Sequence, residues 1–531
     1  MPKFDVVRAG ALRHAPGMNA SSQASAGQST ERLGNRLKRV LALDPQANCI
    51  EFQGGTMTWA SLATGATRIA ALLREAGVEP GAPVGWMARN RPAMVAAFVA
   101  LVVNGHPVIP LRPGLSRDAQ AEELGRQALQ AVIADPDDWQ DPRVLEAAAA
   151  LGTVAIAASG VAAIHARLID GLGKRGKGPF RAAMPGIVME RLTSGTTGAP
   201  KRIAVGEDML IPSLRSAEEG SSGNAADTSL TVKTSPAMLF KPFGHAGGLF
   251  ALLMALYQAR PVILFEKFAV EDWAAAVERF KPKTASLVPA MIQMILEAGI
   301  APERLRSLIA VRSSTAPLDP AAQHAFEARF GIPVLIDYGA AEFIGGVAGW
   351  SLKDYKAFGE SKAGSVGRAR KDVRLRIVDP EGGAELPAGG TGLLEIASER
   401  WGEGWFRTTD LAAVDADGFL FLRGRADDAI NRGGFKILPE DVAAVLRRFP
   451  GVRDAAVVGQ PDARLGQVPV AAIELVPGTE APDPEALANH VRQHMVAYMV
   501  PVAFHFVDAL PRTVSLKIAR PELRKLLGIE G

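Results

Sequence analysis

The sequence predicts an α/β protein with two domains of unequal size. Its 531 residues exceed the length of an ordinary single domain. Short apolar strands alternate with helical segments twice along the chain, which indicates two α/β subdomains with largely parallel sheets. After about Trp350, short strands and many glycines predict a small antiparallel or β-barrel-like part. The last stretch of about 100 residues is predicted to form a compact α+β domain.

The first subdomain is predicted to follow a flexible leader, residues 1–30, that is rich in Ser, Ala, Gly and Gln. A helical pattern begins at Arg32, and Ile50–Thr58 alternates like a hairpin with Gly54-Gly55 at its turn. An amphipathic helix then ends before Gly77. The elements predicted after the hairpin are helix Trp59–Ala76, strand Val84–Met87, helix Pro92–Gly105, strand Pro107–Pro110, helix Ala119–Leu129 and strand Ala131–Ala134.

The remaining elements follow the same logic of apolar runs separated by turn residues. The predicted strands of the second subdomain are Pro261–Phe265, Ala285–Val288, Ser307–Val311 and Pro333–Ile336, and those of the small part are Val373–Val378 and Gly392–Ala397. The last domain is predicted to contain helix Pro439–Phe449, strands Val452–Gly459 and Pro469–Leu475, and helix Pro484–Met495. We expect domains at 31–425 and 428–531, joined at about 426–427.

Composition narrows the class of protein. Lys and Arg number 59 and Asp and Glu 56, and this near balance argues against a dedicated nucleic-acid binder. Cys49 is the one cysteine, which excludes an internal disulfide framework and a multi-cysteine metal site and fits a reducing compartment. The N-terminus lacks the apolar core of a signal peptide, and Met94–Val103 and Ala246–Tyr257 are shorter than the roughly 20 residues of a membrane span. We therefore expect a soluble, cytoplasmic protein.

The first chemical signal is the string Thr193-Ser-Gly-Thr-Thr-Gly-Ala-Pro-Lys201, which follows a predicted strand, Ile187–Leu192. Glycines let the backbone approach a phosphate, exposed N–H groups and hydroxyls bind its oxygens, and Lys201 adds a positive charge. It is not a Walker A loop, because the glycines are too close together and Arg202 follows the lysine. The alternative is an ordinary Gly/Thr turn.

This string resembles the phosphate-binding loop of the acyl-adenylate-forming superfamily, which includes acyl-CoA synthetases, firefly luciferase and the adenylation domains of peptide synthetases. The resemblance extends from about Trp59 to about Leu523, with further motifs in the family's order, and is closest in kind to a stand-alone acyl-CoA synthetase. It implies that ATP phosphates contact Thr193, Ser194, Gly195, Thr196, Thr197, Gly198 and Lys201, with Thr193 also near the metal and Lys201 also catalytic.

Two further motifs imply an adenine and metal site. Asp337-Tyr-Gly-Ala-Ala-Glu342 resembles the family's Tyr-Gly-x-Thr-Glu motif, with Ala341 in place of Thr. By resemblance, Glu342 binds the Mg²⁺ on ATP and Tyr338 stacks on adenine. Ser313–Leu318 falls where the family has a Ser-Gly-x-Ala-Pro strand end, with Ser314 in place of Gly. The nucleotide-binding residues implied here are Ser314, Thr315, Ala316, Asp337, Tyr338, Gly339 and Ala341.

The motif Trp405-Phe-Arg-Thr-Thr-Asp410 resembles the one whose aspartate binds both ribose hydroxyls. A carboxylate can accept two hydrogen bonds from a vicinal diol, so the residue type fits. Thr409 stands where the family usually has Gly. The alternative is an Asp that closes a turn before a strand.

Arg423–Lys436 resembles the family's hinge region. It implies that Arg425 contacts the nucleotide and that the small C-terminal domain rotates about Asp427. The glycines Gly433 and Gly434, with Phe435, would line the pantetheine tunnel for CoA. A glycine pair can also simply make a turn.

The acyl pocket and the catalytic lysine complete the resemblance. Pro242–Phe250 resembles the acyl-pocket motif, in which His245 stands near the substrate carboxylate. Leu510–Ile518 resembles the C-terminal motif in which Lys517 bridges carboxylate and α-phosphate, with Leu516 in place of the usual Gly. The implied pocket residues are Phe243, His245, Gly247, Gly339, Phe343 and Gly345.

The implied activity is an ATP-dependent ligase that adenylates an apolar carboxylic acid and passes the acyl group to CoA. One alternative loads a separate acyl carrier protein, and another is a degenerate protein that binds nucleotide without turnover. No amine-binding Asp occurs around Phe240–His245, so an amino-acid substrate is disfavoured. Lys241 could pair with a second carboxylate, but we expect it to face solvent or a neighbouring acid. An aromatic or medium-to-long aliphatic monocarboxylic acid is favoured. Homodimers are common among such relatives.

Overall fold

The computed structural model describes residues 31–192, 202–222, 230–339, 343–513 and 516–529. The predicted leader, residues 1–30, lies outside this part of the chain. None of the described helices is both long and apolar enough to cross a membrane.

Residues 31–206 build a mainly parallel sheet covered by helices. The helices are α1 (Leu33–Leu43), α2 (Trp59–Glu75), α3 (Pro92–Val103), α4 (Arg117–Gln127) and α5 (Pro142–Leu151). The strands are β1 (Asn48–Phe52), β2 (Gly55–Thr58), β3 (Val84–Met87), β4 (Val108–Leu111), β5 (Ala131–Ala134), β6 (Val154–Ser159), β7 (His165–Leu168), β8 (Ile187–Leu192) and β9 (Arg202–Gly206). Seven strands pair in the order β7-β6-β5-β3-β4-β8-β9, and only the two outer pairs are antiparallel. Buried parallel strands require apolar residues on both faces, as β3, β4 and β5 show.

Residues 207–369 repeat the alternation of strand and helix. The helices are α6 (Glu207–Ser222), α7 (Ala246–Tyr257), α8 (Val270–Phe280), α9 (Pro289–Glu297), α10 (Pro320–Phe330) and α11 (Leu352–Phe358). The strands are β10 (Ala237–Leu239), β11 (Val262–Leu264), β12 (Thr284–Leu287), β13 (Ala310–Ser313), β14 (Val334–Tyr338), β15 (Ala348–Gly349) and β16 (Arg368–Ala369). They form the sheets β10-β11-β1-β2 and β12-β13-β14-β15-β16. The predicted strand Ser307–Val311 starts late, because its parallel pairing with β12 begins at Ala310.

The small part is an open antiparallel sheet. Its strands are β17 (Arg374–Val378), β18 (Gly392–Ala397), β19 (Phe406–Val414) and β20 (Leu420–Arg425), in that order. The antiparallel prediction is confirmed, and β17 and β20 are edges of the sheet and not partners that close a barrel.

Residues 430–529 have a sheet and apolar clusters of their own. The elements are β21 (Ile430–Arg432), β22 (Phe435–Ile437), α12 (Pro439–Leu446), β23 (Val452–Asp462), β24 (Gly466–Leu475), α13 (Pro484–His494), β25 (Ala503–Val507) and α14 (Arg520–Leu526). The sheet runs β22-β21-β24-β23, and β25 pairs with β24 in parallel. The predicted fold class, a large α/β domain followed by a small α+β domain, is confirmed.

The core of the large domain encloses Cys49. The thiol is 1% exposed on β1, within the apolar cluster that also holds Trp59 and Trp86. Burial raises the pKa of Cys49 to about 12. The cysteine is therefore a small apolar residue of the core and not a nucleophile.

Candidate active site

A cleft of about 3000 Å³ lies between the large domain and residues 428–529. On the large-domain side it is lined where β13 and β14 end, and parallel strands bring these carboxyl ends to the same edge of their sheet. That edge is where ligands of open α/β sheets bind. The volume exceeds the roughly 300–1,000 Å³ of a single small-molecule pocket, so the cleft has room for two ligands.

Tyr338 and Asp410 meet in this cleft. The Tyr338 hydroxyl donates a short hydrogen bond to Asp410 Oδ2. Asp410 lies on β19 directly opposite Arg425 on β20, so the three predicted nucleotide residues are neighbours. Arg425 makes two hydrogen bonds to the Asp427 carboxylate, at 2.9 and 2.7 Å. The predicted hinge residue is thus tied to a predicted nucleotide contact.

The turn after β13 forms another part of the wall. Ser314, Thr315 and Ala316 all line the cleft, as Gly339 does after β14. Thr315 has a φ of 87°, a left-handed conformation that a β-branched residue rarely adopts. The strain lies at the predicted adenine contact, which is where functional sites tend to store it.

Asn90, just beyond β3, fixes the start of the acyl-pocket motif. Its side-chain amide donates to the Lys241 carbonyl at 3.1 Å, and its oxygen accepts from the Phe243 N–H at 3.0 Å. The Phe243 ring is 0% exposed and stacks on Trp86 at 5.9 Å between ring centroids. The predicted pocket role of Phe243 is wrong, because its side chain belongs to the core beneath the cleft.

His245 caps the N-terminal end of α7 and lines the cleft with Gly247. A Cβ on Gly248 would come within 2.2 Å of the Pro242 carbonyl oxygen, so the tight turn into α7 requires glycine there. Burial lowers the pKa of His245, and the positive charge of Lys517 lowers it further. Both effects favour the neutral form of the imidazole, and Lys517 lies near it.

Lys241 lies in the cleft, contrary to the expectation that it faces solvent. Its ammonium donates a hydrogen bond of 2.9 Å to Ser286 Oγ on β12. Burial lowers the pKa of Lys241 to about 8, against the opposing effect of the Asp337 carboxylate. The neighbouring acid is Asp337. It influences Lys241 only through its charge, because its carboxylate is hydrogen-bonded to other residues.

Asp337 sits between two arginines. Its carboxylate accepts from Arg312 on β13, at 3.0 Å to each oxygen, and from Arg370. A Cβ on Gly349 would fall 2.1 Å from the Asp337 carboxylate, so a side chain there would break this arrangement. The predicted nucleotide residue Asp337 is thus an anchor between two cationic groups at the floor of the cleft, beside Lys241.

Arg400 anchors the segment that follows the acidic motif. It is buried, donates to the carbonyls of Ile344 at 3.2 Å and Gly346 at 3.3 Å, and pairs with Asp372. Phe343 packs between the rings of Trp401 and Phe406, at 4.7 and 4.9 Å between centroids. Phe343 and Gly345 both line the cleft, and their role in the acyl pocket stays a prediction.

The C-terminal lysine lies on a short loop that closes over the cleft. The Thr513 N–H donates to the Lys517 carbonyl at 2.8 Å, and the Leu516 N–H donates to the Thr513 carbonyl at 2.8 Å. Leu516 adopts a φ of 63°, so it keeps the left-handed conformation that glycine would prefer. Its side chain packs against the apolar core of the large domain.

The predicted CoA residues are placed differently. Gly433 and Gly434, with φ of 58° and 92°, form the two-residue turn between β21 and β22, as a tight hairpin requires. Phe435 is 58% exposed and stacks on Tyr498 at 4.7 Å. None of the three lines the cleft in this arrangement.

Several predicted residues lie outside the described part of the chain: Thr193, Ser194, Gly195, Thr196, Thr197, Gly198, Lys201, Ala341 and Glu342. The strands on either side of the first group pair with each other, Leu192 opposite Arg202. Within the described ranges no cluster of three metal-ligating side chains occurs.

Two family models match the chain. The model described as AMP-binding enzyme matches residues 37–406. The chain belongs to the AMP-binding enzyme family. The model of the AMP-binding enzyme C-terminal domain matches residues 441–517 of this family member. The predicted membership of the acyl-adenylate-forming superfamily is confirmed.

Curated and solved relatives cover nearly the whole chain. A fatty acid–[acyl-carrier-protein] ligase, ScoC of Streptomyces coeruleorubidus, is 27% identical over 91% of this chain and 93% of its own. A feruloyl-CoA synthase of an Amycolatopsis species is 28% identical over 93% of this chain and 99% of its own. The ATP-bound structure of MatB from Rhodopseudomonas palustris superposes with a TM-score of 0.78, at 22% identity over 93% of this chain and 98% of that one. At that identity the likeness shows a shared fold.

The structure adds residues that sequence reasoning missed: Asn90, Arg312, Arg370 and Arg400. Asn90 lies just beyond β3, at a strand end that the alternation of elements already indicated. The sequence did not predict the positions of the arginines, because the direction in which such a side chain points depends on the packing around it.

Proposed function

We propose that this chain is an ATP-dependent acid–thiol ligase that adenylates a carboxylic acid and transfers the acyl group to CoA. The observation that carries the proposal is the position of Lys517. The lysine stands close enough to His245 to lower the pKa of the imidazole, in the cleft that Tyr338 and Asp410 also line. An ammonium there can neutralise charge on the reacting carboxylate and α-phosphate.

In the first step a carboxylate oxygen attacks the α-phosphorus of ATP, and pyrophosphate leaves. Tyr338 would face adenine and Asp410 the ribose hydroxyls, while the 193–201 loop would hold the phosphates. Such a reaction requires positioning and charge neutralisation more than covalent catalysis. His245 would lie beside the acid, whose carboxylate is ionised at neutral pH and can act as the nucleophile. Glu342 is proposed to hold the Mg²⁺, which would supply further positive charge to the phosphates.

In the second step the CoA thiol attacks the acyl carbon, and AMP leaves. Lys517 and its loop line the cleft in the present arrangement, whereas the Gly433–Phe435 hairpin does not. We propose that residues 428–531 turn about Asp427 between the steps and bring the Gly433–Phe435 hairpin to the cleft. The exposed Phe435 ring would then meet the pantetheine chain.

The test is acid-dependent AMP formation with ATP and Mg²⁺, with and without CoA. The acids are benzoate, cinnamates and fatty acids of graded length. AMP release that CoA stimulates supports the ligase. Lys517→Ala should reduce pyrophosphate release by at least about 100-fold, whereas Lys353→Ala, at an exposed position on α11, should not change it.

A carrier protein as the acceptor is the second candidate, favoured by the similarity to the ScoC ligase. AMP formation that is indifferent to CoA but stimulated by an acyl carrier protein would support it. ATP binding without turnover for every acid would instead favour the degenerate protein.

A further inference from the structure

Lys241 carries a positive charge into the part of the cleft that the acyl motif forms. Its backbone is fixed by Asn90, and its side-chain stem runs beside Gly247 of α7. The ammonium reaches Ser286 Oγ on β12 at 2.9 Å. The charge is therefore held by neighbouring elements on both sides and is not on a freely moving surface chain.

The protein supplies Lys241 with little compensation. Among the described residues no carboxylate forms a salt bridge with its ammonium. Asp337 is the acid whose charge acts on Lys241, and its oxygens already accept from Arg312 and Arg370. One neutral hydroxyl is a poor substitute for the water that a buried ammonium loses.

The arrangement has the form of an anion site. Ser286 Oγ accepts from Lys241, so the hydroxyl proton of Ser286 can be donated to an acceptor in the cleft. Lys241 precedes His245 by four positions in the segment before α7, and both residues line the same cleft. An anion held by Lys241 and Ser286 would therefore belong to a molecule that also occupies the acyl region.

We propose that Lys241 and Ser286 bind a second anionic group of the acid substrate, a carboxylate or sulfonate apart from the carboxylate that is adenylated. This inference rests on the proposed function and gives it a substrate class, acids with two anionic groups. It replaces the expectation of an apolar monocarboxylic acid.

The experiment compares acids in matched pairs: hexanoate with adipate, benzoate with terephthalate, and acetate with malonate and sulfoacetate. Pyrophosphate release with ATP, Mg²⁺ and CoA gives kcat/KM for each. We expect the dianionic member to be preferred by at least about tenfold. Lys241→Met should remove that preference, Lys241→Arg should retain part of it, and Lys353→Met should leave it intact. Malonate against sulfoacetate separates a carboxylate from a sulfonate.

Binding of the same acids without ATP, measured by calorimetry, separates the two proposals. If dianions bind the natural protein at least about tenfold more tightly than they bind the Lys241→Met variant, the anion site is supported. If no pyrophosphate is released in that case, only the proposed ligase activity is contradicted. Equal kcat/KM for both members of each pair, unchanged by Lys241→Met, overturns the anion site while the ligase stands. An absence of both turnover and binding overturns both. Near-ultraviolet circular dichroism checks that each variant is folded.

Discussion

Tyr338 and Asp410 are 72 positions apart in the sequence and share a hydrogen bond. Their residue types predict separate contacts to adenine and ribose, and the fold makes them one unit. Lys241 shows the opposite relation: it is adjacent to a recognised motif, yet its surroundings give it properties that the motif does not contain. At the scale of single residues, then, function depends on which groups burial leaves charged.

Lys241 should reduce the stability of the protein. Because its pKa in the folded chain, about 8, lies below the usual value of a lysine, the unfolded chain binds more protons between about pH 8 and pH 10. Lys241 therefore destabilises the folded chain most strongly below about pH 8, and this destabilisation decreases as the pH rises towards 10. Lys241→Met should raise the free energy of unfolding by about 2 kcal/mol at pH 7 and by less than about 1 kcal/mol at pH 10.

Urea unfolding at the two pH values measures this difference. The exposed Lys353→Met is the control and should stay within about 0.5 kcal/mol of the natural protein at both. A stabilisation by Lys241→Met that is the same at pH 7 and pH 10 would show that packing, and not the buried charge, is responsible.

The lysine loop is the element in which sequence and conformation disagree most clearly. Leu516 accepts a left-handed backbone, and in return its side chain packs on the large domain. Strain and contact can be separated. Leu516→Ala loses the contact and keeps the strain, whereas Leu516→Gly loses both.

We expect Leu516→Gly to be more stable than Leu516→Ala by about 1 kcal/mol, because only glycine adopts this φ without a steric cost. Thermal unfolding of the full chain measures the order of the two variants. If the alanine variant is equally stable or more stable, the loop has another conformation in solution and its φ is not what constrains position 516.

Most elements could be predicted from the sequence, because apolar runs between turn residues specify buried strands. The bounds of β3, β5, β8 and β18 are those expected. The predicted strand Ser307–Val311 begins earlier than β13. Residues Ser307–Ile309 are apolar enough for a strand, but they precede the parallel pairing that begins at Ala310. The placement of Phe243 and Lys241 could not be predicted from composition, because positions two apart in the same turn send one side chain into the core and the other into the cleft.

At the scale of the whole molecule, the contacts between the two domains in the described part of the chain include the packing of Leu516 and an ion pair. Arg453 on β23 donates to both oxygens of Glu297, the last residue of α9, at 2.9 and 2.8 Å, and also binds Glu474 on β24. A partly exposed pair of this kind contributes about 1 kcal/mol or less. Thermal motion can break an ion pair of this strength, as the proposed rotation requires.

Asp427→Pro tests that rotation. Proline fixes φ near −65°, so the joint would keep one arrangement. We expect pyrophosphate release to change little and thioester formation to fall by at least about tenfold. Asp427→Asn is the matched control, because it weakens the pair with Arg425 and leaves the backbone free. Equal losses in both steps for the proline variant would contradict a hinge at this position.

The burial of Cys49 has a consequence for chemical selectivity. An acyl-adenylate acylates thiolates readily, and a reactive cysteine beside the cleft would compete with CoA and become acylated itself. The one sulfhydryl group of this chain lies in the core with a pKa of about 12, so almost none of it is thiolate at neutral pH. An enzyme with the proposed activity that is built in this way would generate its thiol-reactive intermediate, turnover after turnover, without being modified on sulfur by it.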